Sequence, residues 1–214
     1  MKIGTRFIIA IGSILIIFCA IAVFVGIFIQ RVHSTEIVQE EAVKIADSVM
    51  NGLNFLMLNG MMEKSEFLLQ QNGKLDGITE MRIFRSALVN EKFGKEKDFK
   101  KPSDAIEEEI FKSGKVYSKR IETGSGESLR IVVPYIASSN RKGIDCIGCH
   151  QVPEGTVIGG LSMVVSLEKE NEFTKNIALV FTALTIGGVI LFTIILAILA
   201  KKFLNEPLKN FADV

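Results

Sequence analysis

The 214-residue chain is poor in the residues that build metal centres and charged recognition surfaces. It has three cysteines, two histidines, four prolines, two tyrosines, no tryptophan and a net charge of +1. Near-neutrality gives no case for nucleic-acid binding, which needs a patch or stripe of excess Lys and Arg. Paired carboxylates and nucleophile–base constellations are missing too, so catalysis on an organic substrate has no support and the chain is not expected to be an enzyme. Neither internal repeats nor low-complexity segments are visible.

The sequence does have two long apolar runs. Phe7 to Ile29 is 23 residues without a charge, 20 of them apolar, and Ile177 to Ala200 is 24 without a charge, 19 of them apolar. At about 1.5 Å per residue each reaches roughly 35 Å as a helix, enough to cross a hydrocarbon core of about 30 Å. A soluble fold could bury one such helix, but two would leave too little apolar surface elsewhere to wrap them. Lys2 and Arg6 precede the first run and Lys201, Lys202 and Lys209 follow the second, which predicts cytoplasmic chain ends. The expected organisation is a cytoplasmic N-terminus at 1–6, a transmembrane helix at 7–29, an outer domain at 30–176, a second transmembrane helix at 177–200 and a cytoplasmic segment at 201–214. Ala20 and Ala22 offer a cleavage-like pattern, yet the apolar stretch runs seven residues beyond Ala22, so an uncleaved anchor fits better. Cys19 reads as a small apolar membrane residue.

In the outer segment, Val38, Ala42, Ile45, Ala46, Val49, Leu53, Leu56 and Met57 recur at three- and four-residue steps, which predicts a helix over 34–71. Asn72-Gly73 and Asp76-Gly77 are turn signals ahead of a strand-bearing stretch from Ile78 to Val89. Residues 90–102 are Lys-rich and loop-like. Ser103 is the expected N-cap of a helix over Ala105 to Lys112, closed by Gly114. Strands are expected at 116–122 and 128–136, joined as a hairpin, and at 160–167. Helices around a few antiparallel strands make an α+β domain of ordinary size.

One motif carries chemistry. Cys146-Ile147-Gly148-Cys149-His150 has the spacing of covalent c-type haem attachment. Two thiols three positions apart can each add to one porphyrin vinyl group, while the adjacent imidazole turns under the ring and ligates the iron. A disulfide or redox C-x-x-C would leave the following histidine accidental. Zinc would need further ligands, and only His33 and Cys19 remain, one beside and one inside the first apolar run. The haem reading also suits an outer domain, since c-type attachment occurs outside the cytoplasmic membrane. Met57, Met61 and Met62 cluster at the end of the first outer helix, where a flexible thioether could supply a second axial bond.

These features resemble the haem c-containing, PAS-like periplasmic sensor domains of bacterial methyl-accepting chemotaxis receptors and sensor histidine kinases. The resemblance covers most of residues 34–172. It rests on Met57-Leu58-Asn59-Gly60, Gly77 to Phe84, Arg130 to Tyr135 leading to Cys146 to His150, and Gly159-Gly160-Leu161 running to Leu167. It implies a PAS-like antiparallel sheet with flanking helices, one covalent haem c held by Cys146 and Cys149, His150 as proximal ligand and Met57 as distal ligand ahead of Met61. It also implies a homodimer. Leu204-Asn205-Glu206-Pro207-Leu208 resembles the start of a HAMP relay linker, which implies a downstream cytoplasmic signalling domain or protein. The function so implied is sensing of redox state or of a small gas ligand at the inner membrane, with the sensor domain in the periplasm. The alternative is a membrane-anchored monohaem cytochrome for periplasmic electron transfer, which needs the same motif in the same compartment.

Overall fold

The computed structural model describes residues 3–93 and 101–200. These fall into two compact units, one of residues 34–169 and one of the described parts of 1–33 and 170–214. The HAMP-like segment lies outside the described residues.

The second of these units consists of helical chain. Helix α1 spans Ile3–Leu58 and helix α6 spans Glu168–Ala200. Both are long and apolar enough to cross a membrane. In their most apolar windows only 6 % and 0 % of the residues are buried, unlike a core helix of a soluble protein. The two run alongside each other, with Thr193 near Gly12 and a slot of about 390 Å³ between Phe18, Ala22, Ala178 and Phe181.

Unit 34–169 is α+β. Its strands are β1 (Ile78–Arg85), β2 (Tyr117–Thr123), β3 (Gly126–Ile136) and β4 (Val157–Ser166), in the order β1-β4-β3-β2 with every pair antiparallel. The expected β2–β3 hairpin forms, with Thr123 opposite Gly126 across a two-residue turn. Both central strands are buried on most positions, because each face of the sheet is covered. On one face the stripe Val38, Ala42, Ala46, Val49 and Leu53 of α1 meets Leu129, Ile131, Leu161 and Met163. On the other, Ile110 of α4 (Ala105–Ser113) meets Phe84, Val132 and Val157.

Besides shifts of a few residues at strand ends, the structure departs from the sequence expectation at three places. The helix predicted over 34–71 breaks at Asn59-Gly60: Gly60 is left-handed at φ +64°, its N–H donates to Met57 O and that of Met61 to Leu56 O, which is a Schellman ending. A 3-10 turn at Met62–Lys64 and helix α2 (Ser65–Asn72) follow, and Leu68 packs where a Cβ on Gly52 would come within 2.8 Å of it. In the stretch from Ile78 to Val89, where Met81-Arg82-Ile83-Phe84 reads as strand-like, the strand covers Ile78–Arg85. The hydroxyl of Ser86 accepts from Val89 N and starts helix α3 (Ala87–Phe93), so the apolar run Ala87-Leu88-Val89 is the first turn of a helix. The N-cap of α4 is Asp104 rather than Ser103. Its carboxylate accepts from Ile106 and Glu107 N at 3.0 Å, while Ser103 donates to the Glu107 carboxylate instead.

Helix α4 is fixed by charge as well as by packing. Glu107 is fully buried, and its carboxylate pairs with Arg82 of β1 and Arg130 of β3, the latter also held by Asp104 at 2.5 Å. A buried carboxylate survives because guanidinium groups replace its lost hydration.

Candidate functional site

Cys146–His150 forms a single helical turn, α5, that sequence periodicity does not reveal in five residues. Asp145 caps it, accepting from Ile147 N at 2.9 Å and Gly148 N at 3.0 Å. Gln151 closes it in the left-handed region at φ 53°, with its N–H on Ile147 O. Gly148 has a structural reason as well: a Cβ there would come within 2.7 Å of the Asp145 carboxylate. Across this turn Cys146 is buried in the α1-side core and Cys149 is exposed, and both thiols are free.

His150 is half-buried. Its Nδ1 is buried and has no hydrogen-bond partner, although buried ring nitrogens ordinarily find one. Burial, then the positive charges of Arg85 and Lys92, holds its pKa below the usual histidine value, so the imidazole is neutral and able to ligate a metal. Helix α3 buttresses the motif from outside. Phe93 meets the His150 ring edge-on with centroids 5.1 Å apart, and Lys92 Nζ donates to the Cys149 carbonyl at 3.1 Å.

The histidine lines an apolar cavity of about 60 Å³ together with Met50, Met57, Met62, Tyr135 and Arg85. Met57 and Met62 therefore share a cavity with His150. Met61 is not among the lining residues, and its sulfur instead lies 4.0 Å from Lys64 Nζ. The residues fit a c-type haem by donor chemistry: two thiols at the vinyl spacing, an imidazole with an orphan nitrogen, and thioethers facing the same space. At its present size the cavity is far smaller than a porphyrin, so its walls must part for one to enter.

The loop leading into α5 is tied to α1. Arg141 Nη2 donates to Asp47 Oδ1 at 3.1 Å, Lys142 pairs with the other carboxylate oxygen, and the Tyr135 hydroxyl donates to the Ala46 carbonyl at 3.2 Å. The Lys142 hydrogen bond is the largest influence holding the Asp47 carboxyl below the ordinary aspartate value. Arg141, Lys142 and Arg130 are thus engaged in ion pairs away from the cavity. Sequence reading missed Arg85, Lys92 and Phe93, because nothing local to α3 or to the end of β1 marks them; only the fold brings them to His150.

Among the described residues no group of three or more His, Cys, Asp and Glu is placed to hold a metal ion by itself. The chain matches no protein-family model, and no curated protein matches it.

Proposed function

We propose that the chain is a membrane-anchored haem c sensor, the input module of a chemotaxis receptor or sensor kinase. One observation supports this above the others: His150 of the C-x-x-C-H turn lines the same cavity as Met57 and Met62. In this reading Cys146 and Cys149 would hold one haem through thioethers, His150 would ligate its iron, and Met57, with Met62 lining the same cavity, would offer a thioether as a further ligand. When bound, the haem would supply an iron whose redox state and affinity for NO, CO or O2 depend on the groups that ligate it.

The chain's own residues supply the coupling. Met57 stands in the last turn of α1, so a displacement of Met57 is a displacement of the helix that also contains the apolar run 7–29. At the other end, β4 finishes at Ser166 and α6 begins at Glu168, leaving one residue between a core strand and the second apolar helix. Both are short paths by which a two-state change in the domain can bias the helices. The domain is then a PAS-like periplasmic one between two spans of the inner membrane, and works as a homodimer with a cytoplasmic output partner.

Absorption spectra of the chain matured with haem c test the assignment. Met57→Leu is expected to convert a six-coordinate spectrum to a high-spin one that binds CO more readily, with Met62→Leu as the parallel variant. Oxidised and reduced spectra unchanged in both variants and in their double mutant would rule out the thioether ligand. The exposed Cys149 favours a second reading, electron transfer through an accessible haem edge. Rapid haem reduction by quinol in membranes, with downstream signalling indifferent to loss of the haem, would select that reading instead.

A further inference from the structure

We propose that, in the chain without haem, the small cavity at His150 is a site for one soft monovalent metal ion, Cu(I), held by the His150 imidazole and the thioethers of Met50, Met57 and Met62. Three of the chain's seven methionines and one of its two histidines line this single space. Thioether sulfur and imidazole are donors that suit Cu(I), whereas hard ions want carboxylates and carbonyls. Among the described residues no three His, Cys, Asp or Glu are grouped to hold an ion, so a donor set rich in thioether is what this fold offers. The charge balance points the same way. The Tyr135 hydroxyl on the cavity wall donates to the Ala46 carbonyl and Arg85 adds a positive charge, so among the described lining residues no anion offsets a dication. A singly charged ion on neutral, polarisable sulfur meets less repulsion there.

Size and placement suit an ion. The cavity of about 60 Å³ is less than half the roughly 150 Å³ that admits a benzene ring, so it has room for an ion and not for an organic ligand. Met50 is buried, whereas Met57, Met62 and His150 are partly exposed, which leaves a way in. The buried Nδ1 of His150 has no hydrogen-bond partner, and coordination is one way to satisfy it. The donors come from three elements. Met50 and Met57 stand two helical turns apart on one face of α1, Met62 opens the 3-10 turn beyond the Gly60 break, and His150 ends α5. An ion held by all of them ties that turn and α5 to the end of α1, the helix that also contains the apolar run 7–29. The site does not depend on the haem reading. A chain whose His150 ligates a haem iron has no second histidine at this cavity for copper.

The test uses the full chain produced without haem attachment and purified in detergent, titrated anaerobically with Cu(I) against a chromogenic chelator, with Ag(I) as the redox-inert check. The C-x-x-C thiols take Cu(I) as well, so the measure is a difference between variants. Wild type is expected to bind one equivalent more than Met50→Leu/Met57→Leu/Met62→Leu, in which leucine replaces methionine with little change of volume. Cys146→Ser/Cys149→Ser should keep that equivalent, and its copper X-ray absorption fine structure should show sulfur and nitrogen neighbours. Met57→Leu alone should weaken it by more than the roughly 10–100-fold that losing an outer-shell partner costs, and Met61→Leu, off the cavity wall, should leave it unchanged. Equal stoichiometry and affinity in wild type and the triple Leu variant overturn the proposal, as does loss of all uptake in a folded Cys146→Ser/Cys149→Ser chain. If the cysteine variant does not fold, the comparison of wild type with the Leu variants decides alone. Failure of the matured chain to take up covalent haem refutes the haem reading and leaves the copper titration untouched.

Discussion

At the residue scale the loop that carries the motif depends on Asp47. Its carboxylate accepts from both Arg141 and Lys142, so a single side chain on α1 holds the segment entering α5. Asp47→Asn should cost about 0.5–1 kcal/mol of unfolding free energy, a small figure because a third-exposed ion pair is screened by water. The pH dependence has a definite sign. The folded pKa lies below the unfolded one, so the contribution is complete above the unfolded value of about 4 and is lost as pH falls through the folded value. Acid denaturation curves of wild type and Asp47→Asn should therefore converge below about pH 4 and separate above it; a constant gap across that range would contradict the assignment. None of this pairing is visible along the chain, where Asp47 and Arg141 are 94 positions apart.

At the element scale the sheet is clamped between α1 and α4 by different means, one by an apolar stripe and the other by a buried ion network. Glu107→Ala should be the costlier change, about 3–5 kcal/mol, because it leaves Arg82 and Arg130 without their buried carboxylate. Thermal unfolding should show it, and Glu109→Ala on the exposed face of α4 should be close to neutral. Much of this level was legible: the apolar stripe of α1, the β2–β3 hairpin and the Gly114 ending all follow from local pattern. The misses have local causes of their own. Gly60 ends a helix whose apolar spacing continues through it, and the Ser86 hydroxyl starts a short helix at Ala87 that local pattern does not announce. Neither outcome is decided by hydrophobic periodicity, which is the same for a short strand and a short buried helical turn.

At the scale of the whole molecule, two nearly unburied apolar helices accompany an α+β unit with its own two-sided core. The full chain should sediment with membranes and resist alkaline carbonate extraction. Deleting 1–29 alone should leave it membrane-bound through α6, whereas release of the full chain by carbonate would contradict two spanning helices. If the unit 34–169 faces the periplasm, a membrane-impermeant thiol reagent applied to intact spheroplasts should label Cys149 in protein lacking haem, and Cys19 should remain protected.

The sequence by itself determined the two apolar helices, the α+β character and the C-x-x-C-H motif, because hydrophobic runs, periodicity and motif spacing are properties of neighbouring residues. Only the tertiary structure decided which methionines face His150, that Arg85 shares their cavity, and that Arg130, Arg141 and Lys142 are occupied elsewhere. Those facts depend on strand register and on where α1 crosses the sheet. Both are set by packing between segments tens of residues apart, which no local pattern encodes.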